Sequence, residues 1–232
     1  MMISKMNLKI SLKKVLKWGV TAILGILFLV FIVKVATFED AYYREKEGSE
    51  RAEVVEVEEE EPLDEAVPTE DQVKEYIVAA DRPRYLSIAK LGVVNSRIIT
   101  VGVKANGELG TPNNIFDVGW YENSGKPGQG KTIVIDGHNG GPNIHGVFKE
   151  LPSLAKGDII KIERGDGKVF NYEVVENKTV SLDSADDYMK IAFRSPISGK
   201  ESVTLISCTG GWSSKRSTYL SRQFTRAVLV ED

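Results

Sequence analysis

Asp158-Ile-Ile-Lys-Ile-Glu-Arg-Gly-Asp-Gly-Lys-Val-Phe-Asn-Tyr-Glu-Val-Val175 is the stretch that decides the fold class. Two runs rich in β-branched and aromatic residues, Asp158 to Ile162 and Val169 to Val175, flank Arg164-Gly-Asp-Gly167, which reads as a hairpin turn between antiparallel strands. The pattern repeats outward in both directions. Tyr85-Leu-Ser-Ile88, Ser96-Arg-Ile-Ile-Thr-Val101 and Lys131-Thr-Ile-Val-Ile135 read as strands, with a turn at Ala105-Asn-Gly107. Ser202 to Ser207 and Ala227 to Val230 complete the set. Helical pieces are few and short, around His145 to Leu154 and Ser184 to Ile191. Many short strands between turns predict a mainly β domain over residues 82–232, a closed barrel or a sandwich.

The chain before that domain is of another kind. Residues 1–17 are basic, with Lys5, Lys9, Lys13, Lys14 and Lys17. Residues 18–38, WGVTAILGILFLVFIVKVATF, form an apolar run broken only by Lys34, and about 20 such residues cross a bilayer as one helix. The lysines in front place the N-terminus in the cytoplasm and everything beyond residue 40 outside the cell membrane, as a single-pass protein. A cleaved signal peptide is the alternative, but the run is long for one and no clear small-x-small site follows it. Residues 39–81 are acidic, without core-forming periodicity, and read as a solvated extracellular linker; Asp71 to Ala80 suits a short helix within it. The net charge of -3 and the lack of a basic patch interleaved with aromatics give no nucleic-acid signal.

The chemically versatile side chains are scarce. Cys208 is the only cysteine, so neither an internal disulfide nor a thiolate metal cluster is available, and the thiol is either inert or a nucleophile. His138 and His145 are the only histidines, and both lie in one glycine-rich loop. A nucleophilic thiol needs a proton carrier and a stabiliser for the developing oxyanion. His138 follows a strand directly, Cys208 ends another, and Arg226 is read as opening the last one. Arginine holds its proton, so it suits the oxyanion and not the base. Rival positions exist for two of these roles: His145 for the base and Arg222 for the cation. Arg226 is preferred because Val228 and Val230 alternate from it as strand residues do. Asp158 and Asp166 raise the idea of a calcium ion, but no spaced carboxylate cluster accompanies them, so no metal or cofactor is expected.

The motifs together resemble the sortase family. The likeness is carried by Pro83-Arg-Tyr-Leu-Ser-Ile88, Val118-Gly-Trp-Tyr121, Lys126-Pro-Gly128, Ile135-Asp-Gly-His138, Gly146-Val-Phe148, Leu154-Ala-Lys-Gly-Asp158, Thr204-Leu-Ile-Ser-Cys208 and Arg226-Ala-Val-Leu-Val230. It is nearest to the class E/F type, in which a Val-Gly-Trp-Tyr element precedes the histidine loop. The resemblance implies an eight-stranded sortase-type β-barrel and a cysteine transpeptidase at the cell surface. Its substrates would be surface proteins bearing a C-terminal sorting signal, often Leu-Pro-x-Thr-Gly-like. Its acceptor would be an amine, on a cell-wall precursor or a pilin lysine. Cys208 would be the nucleophile, His138 the general acid and then base, and Arg226 the holder of the substrate carbonyl, with Ser207 supporting the same oxygen. Gly140 stands where family members often carry aspartate, and Asp136 either orients His138 or caps a turn. Trp120 and Tyr121 are read as packing residues. A thiol peptidase with water as acceptor, or an inactive tethered surface-binding domain, are the alternatives.

Overall fold

The computed structural model describes residues 62–230 apart from 105, 106 and 108. The basic N-terminus, the apolar run of residues 18–38, most of the acidic linker and part of the turn at 105–107 lie outside the described residues. Among the described residues no helix is long and apolar enough to cross a membrane.

Eight strands close into a barrel: β1 (Pro83–Ile88), β2 (Val93–Val101), β3 (Val118–Tyr121), β4 (Thr132–Gly137), β5 (Ile159–Arg164), β6 (Val169–Ser181), β7 (Ser202–Ser213) and β8 (Thr218–Leu229). Around the barrel they run β1-β2-β3-β4-β7-β8-β6-β5. β2 with β3 and β4 with β7 are parallel, and the other neighbours are antiparallel. Closure leaves no free edge for a second chain to add to.

Side chains alternate between the two faces of a strand, so each strand contributes to two different surroundings. Ile133 and Ile135 of β4, Val203 and Leu205 of β7, and Ala227 of β8 point inward with Leu86, Ile98, Trp120, Ile160 and Tyr172. Their alternates Val134, Ile206 and Phe224 point outward and are covered by α2 (Leu182–Ala192) through Tyr188 and Ala192. Ala185, Tyr188 and Ala192 recur at helical spacing, so α2 buries one stripe and leaves the rest in water. A fully buried Phe or Ile contributes roughly 1.5–3 kcal/mol. The outer layer under α2 therefore holds the β4–β7–β8 sheet flat against a second small core. Trp120 is core, with its indole N–H donating to Gly125 O at 3.0 Å.

Three expectations need correction. Residues 145–154 form a loop with a single 3₁₀ turn at Leu151–Ser153, because the Phe148 N–H is drawn to His138 O at 2.9 Å instead of continuing a helix. β7 and β8 extend well past the apolar runs into a long polar hairpin, so Arg226 lies deep within β8 and does not open it. The chain also meets the barrel before residue 82. The first turn of α1 (Glu70–Lys74) is closed by a capping box between Thr69 and Gln72, and Tyr76 Oη donates to Ile98 O at 2.6 Å. Asp64 accepts from Asn114 Nδ2 at 2.8 Å, so this part of the acidic stretch is exposed but hydrogen-bonded to the barrel.

Candidate active site

β4 and β7 run side by side in register from Thr132 opposite Ser202 to Gly137 opposite Ser207. One residue further come His138 and Cys208, on strands whose axes are ~4.8 Å apart. Both have the parity of Val134 and Ile206, so both belong to the outer face, beyond the end of α2. Ser207 Oγ, buried, donates to Gly137 O at 2.9 Å and ties the two strands together at this level. That contact corrects the expected role of the Ser207 hydroxyl, which is spent on the scaffold and does not face a substrate.

The strand end is tight for a reason that its sequence carries. A Cβ on Gly137 would lie 2.5 Å from the Phe148 ring, so glycine lets Phe148 pack against β4 where the chain turns into the histidine loop. The loop is then closed by Gly146 N–H on Asn139 O at 3.0 Å and by Gly141 N–H on Ile144 O at 3.0 Å. Glu65, from the segment before α1, accepts from Asn143 N at 2.8 Å, Asn143 Nδ2 at 2.7 Å and Ile144 N at 3.2 Å. These bonds hold the Glu65 carboxyl below its usual range.

His138 is half-buried, and its Nε2 lies 2.7 Å from Pro112 O. Burial pushes its pKa down and the Pro112 carbonyl pushes it up, with the first effect larger. The imidazole is thus neutral at rest and ready to take a proton. His145 is exposed and bridges to Gly140 on the far side of the loop. Cys208 is half-buried.

The two arginines separate cleanly. Cys208 pairs directly with Arg222 across β7 and β8, whereas Arg226 pairs with Thr204. Four residues along a strand is ~13 Å, so Arg226 stands far down the sheet from the thiol. Its guanidinium is buried under α2, with Nη1 on Glu176 Oε2 at 2.7 Å and Nη2 donating to Ile191 O at 3.2 Å and Arg194 O at 2.7 Å. A cation at a helix C-terminus satisfies its last carbonyls and opposes the negative end of the dipole. Arg226 is a fastening for α2. Arg222 is half-buried and donates to Tyr219 O at 3.0 Å, Ser221 O at 3.2 Å and Thr218 Oγ1 at 3.1 Å. These acceptors are neutral, and among the described residues no carboxylate pairs with this guanidinium beside Cys208. The structure brings together Cys208, His138 and Arg222, and leaves Arg226 and His145 apart from them.

Asp158 accepts from Lys90 at 2.7 Å and Ala155 N–H at 2.6 Å, and Asp166 from Arg164 at 2.7 Å. Among the described residues no group of three acidic, histidine or cysteine side chains gathers as a metal site. A cavity of about 360 Å³ near Val67, Val93 and Phe116 includes neither Cys208 nor His138 among its lining residues.

Sequence reading passed over Thr111 and Pro112, which pack onto β4 beside His138, and Glu65. Only the Thr-Pro pair left a local sign, as a turn-prone break before β3.

A sortase-domain family model matches residues 86–230, more than half of the chain. No curated protein matches. Among solved structures, similarity extends to a Clostridium perfringens sortase D5 transpeptidase at 24% identity, covering 71% of this chain and 90% of that one with a TM-score of 0.45. It also extends to the sortase C of Streptococcus pneumoniae at 20% identity, covering 78% and 85% with a TM-score of 0.47. A pilus-related sortase C of Group B Streptococcus matches at 20% identity, covering 73% and 79% with a TM-score of 0.47.

Proposed function

We propose that this chain, which belongs to the sortase family of cysteine transpeptidases, is a membrane-anchored enzyme that cleaves a C-terminal sorting signal and passes the acyl group to an amine. The observation that carries the reading is the strand register. Cys208 pairs with Arg222 across β7 and β8, and the pair Gly137–Ser207 immediately precedes His138 and Cys208, which supports a shared site for the three side chains.

In this reading the neutral imidazole of His138 takes the Cys208 proton, and the thiolate attacks the scissile carbonyl to form the S–C bond. The oxyanion that develops lies against the Arg222 guanidinium, whose charge no carboxylate in the described structure cancels. The tetrahedral species collapses as its C–N bond breaks, and the His138 imidazolium gives its proton to the departing amine. A thioester remains on Cys208. An incoming amine attacks it, His138 accepts the amine's proton, and the S–C bond breaks to leave a new amide; the His138 imidazolium then returns the proton to the sulfur and restores the thiol. The apolar run at residues 18–38 would hold the barrel at the outer face of the cell membrane, where surface proteins and their amine acceptors meet.

A peptide-library cleavage assay with mass readout, run with and without added amine, tests the reaction. Products in which the N-terminal fragment is joined to the amine are expected. Hydrolysis alone, at every amine concentration, would replace transpeptidation with a thiol peptidase. No cleavage at all, with Cys208→Ala keeping its full cellular effect, would leave a tethered binding domain. Membrane anchoring is checked by fractionation with protease treatment of intact cells, in which the barrel should be digested from outside.

A further inference from the structure

One group next to His138 has no part in the acyl-transfer steps. Asp136 lies two residues before it on the outer face of β4, directly opposite Gly119 of β3. Its Oδ1 is sealed from solvent without a hydrogen-bond partner, and its Oδ2 accepts from Thr111 Oγ1 at 2.7 Å. The missing side chain of Gly119 makes the room: a Cβ there would overlap Asp136 Oδ1 and come within 3.0 Å of Pro112 Cδ. A carboxyl oxygen sealed from water without a partner destabilises a fold. A side chain kept only to fill this space would be apolar. Its one strong side-chain contact reaches Thr111, and the next residue, Pro112, sets its carbonyl 2.7 Å from His138 Nε2. A carbonyl can only accept, so Nε2 carries a proton whenever this contact is kept, and Nδ1 is left as the nitrogen that takes and gives a proton. Among the described residues the charged group facing this cluster is Lys104, on the segment between β2 and β3. The registered neighbours on β3 and β7, Gly119 and Ile206, carry no charge.

We propose that Asp136 is a positioning residue for His138, whose carboxyl clasps Thr111 and so seats the Pro112 carbonyl on Nε2, committing Nδ1 to proton exchange at Cys208. Its effect on turnover rests on the acyl-transfer reading, while the clasp itself is observable without any substrate.

The test is ¹⁵N NMR of the imidazoles in the full chain, with His145→Gln to assign the two histidines. Wild-type His138 should show a protonated Nε2 and a bare Nδ1. Thr111→Val, at an exposed position, and Asp136→Ala should each give a mixture of tautomers. Each should also cut kcat about fivefold, the loss expected for one hydrogen bond, with KM nearly unchanged. Thr111→Ser keeps the hydroxyl and should restore both readouts. An unchanged tautomer in Thr111→Val and Asp136→Ala overturns the proposal, and so does Thr111→Ser behaving like Thr111→Val. If the tautomer responds as expected while wild type joins no peptide to an amine, the clasp stands and the acyl-transfer reading fails. If wild type joins peptide to an amine while the tautomer ignores both substitutions, acyl transfer stands and the clasp fails.

Discussion

Arg222 and Arg226 face the same side of β8, yet replacing each with methionine should damage different properties. Arg226→Met removes a guanidinium whose side chain is 8% exposed and strands Glu176, which is 35% exposed. Removing one partner of a buried ion pair costs about 3–5 kcal/mol. Glu176 recovers water and keeps the Tyr188 hydroxyl at 2.5 Å, which favours the low end. The lost contacts to Ile191 O and Arg194 O at the end of α2 add up to ~1 kcal/mol. A total of about 3–4 kcal/mol lowers Tm by roughly 6–16 °C in a domain of this size. Turnover well below that Tm should stay close to wild type, because the thiol is ~13 Å away along the sheet. Arg222→Met gives up bonds to neutral acceptors only, worth about 1 kcal/mol net, so Tm should barely move. It loses the charge at the oxyanion, which lowers kcat by about 10²–10³-fold. Thermal unfolding and the rate of amine-joined product, measured on both variants, separate the two arginines. Near-normal kcat in Arg222→Met, or wild-type Tm with lost turnover in Arg226→Met, would refute the assignment and return the oxyanion role to Arg226.

Cys208→Ala and His138→Ala should each abolish amine-joined product with the barrel intact by circular dichroism, while His145→Ala stays near wild type; a dead His145→Ala beside an active His138→Ala would move the proton carrier across the loop. Burial pushes the Asp136 carboxyl up to about 7, against the Thr111 hydrogen bond that lowers it. The folded chain then keeps this proton over a range in which the unfolded chain has lost it, so the group's contribution turns progressively unfavourable from about pH 4 to about pH 7. Asp136→Asn should therefore gain stability relative to wild type across that window, by up to ~4 kcal/mol, and a pH-independent difference in unfolding free energy would contradict the buried acid. Glu65→Ala removes the acceptor for Asn143 and Ile144; hydrogen exchange at those two amides should accelerate while β4 stays protected, and unchanged exchange would mean that the loop closes without the segment before α1.

Much of the architecture was readable because it depends on local pattern. Ile160 and Ile162 are buried and alternate with Ile159 and Lys161, and that alternation marks β5 whatever it pairs with. Val203 to Ile206 is buried on both faces, inward against the barrel and outward under α2, so β7 reads as a continuous apolar run. What escaped was the polar continuation of the same strands. The Thr209–Thr218 part of the β7–β8 hairpin and the Tyr219–Gln223 part of β8 have no apolar alternation, since they stand beyond the outer core, and backbone pairing with the Trp212–Tyr219 ring contact defines them. The clasp beside His138 escaped for a related reason. Thr111 and Asp136 meet across 25 residues, through a loop whose path is set by the parallel pairing of β2 with β3.

Periodicity alone cannot choose between the two arginines. Period two assigns a face: from Val228 and Val230 it selects every even position of β8, and it admits Arg222 as readily as Arg226. It says nothing about height along the strand, because alternation repeats without an origin. Height comes from register, and register here is set by neighbours distant in sequence. Ser202 opposite Val228 at one end and Ser207 opposite Gln223 near the other leave Cys208 no partner but Arg222. A one-residue slip would turn every inward side chain of β8 outward, exposing Ala227 and Thr225 and burying Arg226 in the apolar barrel interior. A two-residue slip keeps the faces but takes Arg226 from Glu176 and from the end of α2, the buried contacts that fix it. The residue that anchors the helix thereby sets the height of the arginine beside the thiol. Shortening β8 by two residues between Arg222 and Arg226 should consequently abolish turnover even with both guanidinium groups retained, and undiminished turnover in that deletion would show that register does not place the oxyanion cation.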